Sequence, residues 1–287
     1  MAAERHCRAK PGGAANPGAL MSHLFIFGLG YSAGRLARRL RAEGWSVEAT
    51  GNAGTISFDD EPAVRAALGR ASHILSSVPP GEEGDPVLTR YGAAVTNAPA
   101  RWIGYLSATG VYGDTGGAWV DETAPIGAGR RSARMTADRD WQVLGRAIHI
   151  VRLPGIYGPG RSVLDRIREG RARRIDLPGQ VFSRVHVDDI VSGVMAAMAG
   201  PAGIYNLADD WPCAQNDVIA YGCELLGLPV PPLQTLEAAQ LSPAAAAFYG
   251  ENRRIANGKA RRLLEWQPQY PDYRSGLLAC FDQRLIS

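Results

Sequence analysis

Phe27-Gly-Leu-Gly-Tyr-Ser-Ala-Gly34 (FGLGYSAG) decides how the rest of this 287-residue chain is read. It follows the apolar run His23–Gly28 (HLFIFG). It opens a segment, 31–43, in which Ala33, Leu36, Ala37 and Leu40 recur at helical spacing. Arg35, Arg38, Arg39 and Arg41 fall on the opposite face. A buried strand, a glycine turn and an amphipathic helix are expected in that order. Gly28 and Gly30 permit a tight turn and a close approach to the backbone. The helix start adds unpaired N–H groups and a partial positive charge, which suit a pyrophosphate. Ala33, with Gly34 beside it, fills a third small-residue position where helix and strand pack closely. Gly28, Gly30, Tyr31, Ser32 and Ala33 are therefore expected to cradle a dinucleotide. A mere glycine turn is the plainer reading, and the strand–turn–helix context argues against it.

Outward from this loop, strands and helices alternate. Strands are expected at Ser46–Thr50, Thr55–Phe58, Ser72–Val78, Arg101–Leu106 and Ala147–Leu153, with helices at Glu61–Leu68, Pro86–Asn97 and Ser132–Leu144. This βαβα order implies a parallel, doubly wound α/β sheet with right-handed crossovers. Beyond residue 155 the pattern changes. A turn-rich GIYGPG (155–160) precedes an expected helix over 161–174 that holds six arginines. A strand at Val181–Val187 leads to an apolar helix through Met198, with Asp188 as its expected N-cap. Gly203–Leu207 is a further strand, and the remainder reads as mainly helical. The expected fold is a Rossmann-type α/β domain (22–155 and 181–207) with a small, mainly helical C-terminal lobe for substrate (156–180 and 208–287).

Composition excludes several classes. No apolar stretch reaches the roughly 18 residues that span a bilayer. The net charge of +3 owes +2 to Arg5, Arg8 and Lys10 against Glu4, so the rest is near neutral and gives nucleic-acid binding no support. Residues 1–21 are rich in Ala, Gly and Pro and lack a signal-peptide core; a disordered extension is expected, and the sequence leaves open whether Met21 is the true start. Cys7, Cys213, Cys223 and Cys280 are scattered without a Cys-x-x-Cys pair, which argues against a disulfide framework or a zinc site and fits a reducing cytoplasm. The histidines offer no metal pair.

Strand ends in such sheets face the ligand crevice. Ser76, Ser107 and Pro154 therefore join the expected cofactor contacts. The second strand ends Ala49-Thr-Gly-Asn52, without the acidic residue that usually binds the adenosine ribose and without an arginine for a 2′-phosphate. Asn52 suits either NAD or NADP. Asp59 could accept from an adenine amino group or cap the following helix.

Several motifs together resemble the extended short-chain dehydrogenase/reductase superfamily, the NAD-dependent epimerase/dehydratase group. These are GLGYSAG at 28–34, LSATGVYGD at 106–114, DETAP at 121–125, RLPGIYGPG at 152–160, SRVHVDDI at 183–190 and GIYNLA at 203–208. A weak RR-x-x-N at 253–257 with a Trp-x-Pro at 266–268 completes the set. The resemblance implies an NAD(P) cofactor and a Ser/Thr, Tyr and Lys that handle the substrate proton. Each position is substituted here. The Ser/Thr slot holds Ala108; the tyrosine slot holds Arg130 and the lysine slot Arg134. No Tyr-x-x-x-Lys occurs anywhere in the chain. Arginine stays charged and cannot replace the tyrosine. Arg134 could still bond cofactor ribose hydroxyls. Thr109 and Tyr112 are the nearest substitutes, which makes Thr109, Tyr112 and Arg134 the candidate catalytic residues of an atypical member.

The implied function is an NAD(P)-dependent oxidoreductase or epimerase/dehydratase-like enzyme. The alternative is a non-catalytic dinucleotide-binding sensor or scaffold. A small-molecule substrate is expected, phosphate-bearing or a nucleotide sugar if the arginines of 161–174 form a clamp; a solvated face is their plainer reading. No nucleic acid or membrane partner is expected, and a monomer or homodimer is. Tyr157 reads as a crevice-lining residue, His186 as a hydrogen-bonded structural histidine, and Asp121-Glu122 as a loop anchor.

Overall fold

A computed structural model describes residues 22–127 and 132–282. The expected disordered extension and Arg130 lie outside the described residues. Six strands form one wholly parallel sheet: β1 (His23–Phe27), β2 (Ser46–Ala49), β3 (His73–Ser76), β4 (Trp102–Ala108), β5 (Ile148–Leu153) and β6 (Gly203–Asn206). Their spatial order is β6-β5-β4-β3-β1-β2. The order reverses between β1 and β3, so the carboxyl ends of these two strands frame the crevice where such sheets take ligands.

The two-residue alternation of β1 shows why the sheet is covered on both faces. Leu24 and Ile26 join a core with Leu36 and Leu40 of α1 (Tyr31–Ala42) and Val194 of α6 (Val187–Ala199). Phe25 and Phe27 point the other way, into a core with Val64 of α2 (Glu61–Arg70), Tyr91 of α3 (Pro86–Asn97) and Trp141 of α4 (Ser132–Gln142). Leu36 and Leu40 are no more than 2% exposed, and each contributes about 2 kcal/mol of apolar burial. A third core joins α5 (Val163–Arg168), α7 (Gln215–Leu226) and α10 (Tyr273–Asp282), through Leu164, Ile219 and Leu277. Two short helices, α8 (Pro243–Ala246) and α9 (Gly258–Leu263), lie between α7 and α10 in the chain.

Four expectations need correction. Thr55–Phe58 is not a strand: only Thr50 and Ile56 bridge. Thr55 N and Ile56 N both donate to Ala49 O, and Asp60 already caps α2 by accepting from Ala63 N, so no length remains for a ladder. The arginine-rich helix is α5 alone; Arg174 pairs as a short strand with Leu233. The cap of α6 is His186, whose ring accepts from Asp188 N, rather than Asp188. The turn-rich stretch 155–160 contains a short strand, Gly155–Tyr157 against Arg184–His186, and Trp119–Val120 pairs likewise with Arg254–Ile255.

Candidate functional site

The glycine loop begins where β1 ends. Gly28 has φ +82°, a region that side chains rarely enter, and a Cβ there would stand 3.0 Å from Val78 Cγ2. Its N–H donates to Thr50 Oγ1 at 3.1 Å, and its carbonyl accepts from the Ser77 hydroxyl. Gly28 is thus fixed from both neighbouring strand ends. Gly30 caps α1 in an extended conformation, with no protein atom within 4 Å of a Cβ placed on it. No side chain caps this helix, and no acidic residue occupies its first turn. The first-turn amides therefore keep their hydrogen-bonding capacity and the positive end of the helix dipole.

They face a cavity of about 1070 Å3. Gly30, Tyr31, Ser32 and Ala33 line one side of it. Tyr31 donates to Pro159 O at 3.0 Å, its ring lies 5.6 Å from the Arg161 guanidinium, and burial pushes its pKa up to about 12. The β4 edge contributes Ser107, Ala108, Thr109 and Gly110, and the following strand contributes Leu153 and Pro154. The lobe supplies Tyr157 and Tyr249 and most of the charge. Seven arginines line the cavity (134, 161, 166, 171, 173, 184 and 253) against Asp165, Glu169 and Glu251. An anionic ligand suits that excess.

The β4 edge is held by a buried polar network. Ser107 Oγ donates to Asp138 Oδ2 at 2.6 Å. Arg152 donates to both oxygens of Asp138, at 3.1 and 2.7 Å. Arg152 also donates to the Tyr112 hydroxyl at 3.0 Å, and that hydroxyl donates to Asn206 Oδ1 at 2.8 Å. The Arg152 and Asp138 side chains are 2% and 0% exposed. Burial raises the Tyr112 pKa, with Arg152 opposing. Tyr112 does not line the cavity, and its hydroxyl is committed to this network. Of the three expected catalytic residues, Thr109 and Arg134 do line it. Arg134 donates to the Tyr105 hydroxyl at 3.2 Å, although burial still pushes the Tyr105 pKa up to about 12.

The expected cofactor residues divide in the same way. Gly30, Tyr31, Ser32, Ala33, Ser107, Arg134 and Pro154 come together on the cavity, with Gly28 beneath the loop. Asn52 is exposed at the sheet edge. Asp59 is exposed and paired with Arg90, and it does not cap α2. Ser76 is fully buried, while its neighbour Ser77 reaches the cavity. The strand's two-residue alternation decides between them. Arg184 and Arg253 were not foreseen; the RR-x-x-N segment was the available signal for Arg253. Arg168 sits by Asp165 and is not on the cavity. His186 accepts at Nδ1 and is fully buried, and burial lowers its pKa to about 4, so it is neutral. Asp121 caps the turn at Thr123, and Glu122 accepts from Asn206 N at 2.7 Å. Among the described residues no His/Cys/Asp/Glu group could hold a metal.

No family model matches the chain. A solved conserved protein of unknown function from Silicibacter pomeroyi is 41% identical, covers 92% of this chain and 99% of its own, and superposes with a TM-score of 0.83. The chain belongs to the family of that protein. Another relative, Protein YeeZ of Escherichia coli K12, is 28% identical over 282 residues, 88% of this chain and 97% of YeeZ. MoeE5, solved with UDP-glucuronic acid and NAD, is 17% identical, covers 93% of this chain and 100% of its own, and has a TM-score of 0.74. The chain therefore shares its fold with MoeE5.

Proposed function

We propose that this chain binds NAD or NADP on the glycine loop and acts on a small phosphate-bearing substrate, a nucleotide sugar or a close relative. The reading rests on one observation. The uncapped start of α1, with open space above Gly30, faces a cavity in which arginines outnumber carboxylates. A pyrophosphate fits that start, because the amides and the dipole act together. The amides of Tyr31, Ser32 and Ala33 would hold it, Ser77 would keep the loop in shape, and Ser107 and Arg134 would border the nicotinamide half. When bound, the nicotinamide supplies or takes a hydride. The nucleotide and sugar bound by MoeE5 support the substrate class.

The protein's own groups set the limit on rate. Ala108 brings no hydroxyl, and Ser107 is bonded to Asp138. A positioned acid or base contributes about 10²–10⁴-fold, so ordinary carbonyl reduction is expected to be slow. A second reading, a non-catalytic NAD(P) sensor, is favoured by the same observation. Among the described residues Cys213, Cys223 and Cys280 are buried and none forms a disulfide, which suits a cytoplasmic location, and no helix there is long and apolar enough to cross a membrane.

Calorimetry with NAD+, NADH, NADP+ and NADPH tests the cofactor. Failure of all four to bind at millimolar concentration ends the proposal. Nicotinamide oxidation against a carbonyl panel, for wild type and Thr109→Val, then separates the two readings. Turnover that Thr109→Val abolishes selects the enzyme; binding without turnover selects the sensor.

A further inference from the structure

Arg253 differs from the other arginines of the cavity in where it is held. Its Nη1 donates to Gly113 O at 2.7 Å and to Glu251 Oε2 at 2.8 Å. These two acceptors fix the guanidinium over the turn that follows β4. Its Nη2 points at Gly110, 3.9 Å from where a Cβ on that residue would stand. Among the described residues Nη2 has no acceptor. Gly110 follows Thr109 and brings no side chain, and both Gly110 and Arg253 line the cavity. The Arg253 side chain is 16% exposed, which leaves it reachable but largely removed from solvent.

We infer that Arg253 forms a carboxylate-binding subsite at the β4 edge, so that the ligand carries a carboxylate at its reacting end as well as its phosphate-bearing end. The inference rests on the proposed reading of the cavity and names the chemistry of one end of its ligand. A guanidinium fork matches two carboxylate oxygens, and such charge-assisted pairs are the strong ones. Glu251 occupies one edge of the fork and leaves another to the ligand. Its charge opposes an incoming carboxylate. Arg134 also lines the cavity, and the surplus of arginines outweighs the cavity's carboxylates. Arg161 and Arg166 also line the cavity and are left to the phosphate-bearing end.

The test uses the full chain saturated with whichever nicotinamide cofactor binds. UDP-glucuronic acid and UDP-glucose differ only at C6, a carboxylate against a neutral hydroxymethyl group, and calorimetry compares them. Malonate and malonamide repeat the comparison without a nucleotide. Wild type is expected to prefer the acid of each pair by about tenfold or more. Arg253→Gln is expected to bind acid and neutral partner alike, and Arg253→Lys to keep part of the preference. Melting temperatures show whether each variant folds; Arg253→Lys retains a donor for Gly113 O if Arg253→Gln does not fold. The inference fails if wild type shows no preference in either pair, or if the preference survives in Arg253→Gln. If neither UDP-sugar binds, the nucleotide-sugar reading fails separately, and the malonate pair still decides Arg253.

Discussion

Gly30→Thr and Gly28→Ala form a matched pair that separates binding from folding. At Gly30 the backbone is extended, with φ −88° and ψ −163°, and no protein atom lies within 4 Å of an added Cβ. Threonine caps helices about as well as glycine. Gly30→Thr is therefore expected to change stability by less than about 0.5 kcal/mol. The same side chain projects into the space a pyrophosphate needs, and its hydroxyl competes for the first-turn amides. Each charge-assisted hydrogen bond lost costs about 1.5–3 kcal/mol, so losing two weakens binding by roughly 10²–10⁴-fold. Gly28 behaves in the opposite way. Its φ of +82° costs an L-residue about 1–2 kcal/mol, and the 3.0 Å approach to Val78 Cγ2 adds strain. Gly28→Ala should lower the melting temperature by about 4 °C, at roughly 2 °C per kcal/mol for a chain of this size. Thermal melts read the first quantity, and calorimetry with the four nicotinamide dinucleotides reads the second. Wild-type cofactor affinity in Gly30→Thr would refute the assignment of the loop. A large loss of stability in that variant would refute the geometry.

Three further outcomes are expected. Asp138→Asn strands the buried Arg152 guanidinium and should cost about 3–5 kcal/mol in urea unfolding, whereas Asp138→Leu combined with Arg152→Met should cost less than either change alone; a single-variant cost below about 1 kcal/mol would contradict the pairing. Asp209 is buried with one carboxyl oxygen unpartnered, and burial pushes its pKa up to about 8. Its folded pKa exceeds the unfolded value, so ionising it destabilises the fold increasingly as pH rises from about 4 towards 8. Asp209→Asn should raise the melting temperature at pH 8 and lose that gain by pH 4–5, and a gain independent of pH would point to packing instead. Arg161→Gln with Arg166→Gln should weaken UDP-glucose binding by about tenfold or more, while Arg168→Gln, whose side chain lies off the cavity beside Asp165, should leave it unchanged; equal affinity in all three proteins would return the arginines to solvent.

The parts of the fold that were legible are those that a period encodes. HLFIFG alternates between two cores, and Ala33, Leu36, Ala37 and Leu40 make one buried stripe. Asp85 and Pro86 announce the start of α3, where the aspartate accepts from Val87 N and Leu88 N. What escaped depends on contacts between residues far apart in the chain. The expected third strand failed because Ala49 O captures both Thr55 N and Ile56 N, a closure that β-branched composition does not reveal. The cap of α6 failed because histidine is rarely chosen for that role, and here its ring accepts from Asp188 N at 3.2 Å. Ser76 and Ser77 were separable only by strand parity, which depends on which residue ends the ladder. Arg152 sits inside an apolar run and is buried against a carboxylate 14 positions earlier in the chain.

That last pairing explains why the stretch Tyr105–Gly113 looked richer in chemistry than it is. Its hydroxyl groups suggest a catalytic edge. Tyr105 takes the Arg134 donor, Ser107 is bonded to Asp138, and Tyr112 lies between Arg152 and Asn206. Each of these groups fixes the strand end rather than facing a ligand as a spare donor. A buried carboxylate that accepts from Ser107, Arg152 and Gln142 has little capacity left to act as a base. The residues of this stretch that line the cavity are Leu106, Ser107, Ala108, Thr109 and Gly110, and the charge beside the last three comes from Arg253, more than 140 positions further along the chain. On the proposed reading of Arg253, the sheet supplies a platform and the segment carrying Arg253 supplies the group that meets the ligand. On that division a substituted β4 edge does not by itself mean an inert protein. The proposed reading assigns specificity at this edge to residues that fold over it, and Arg253 is where that assignment is to be tested first.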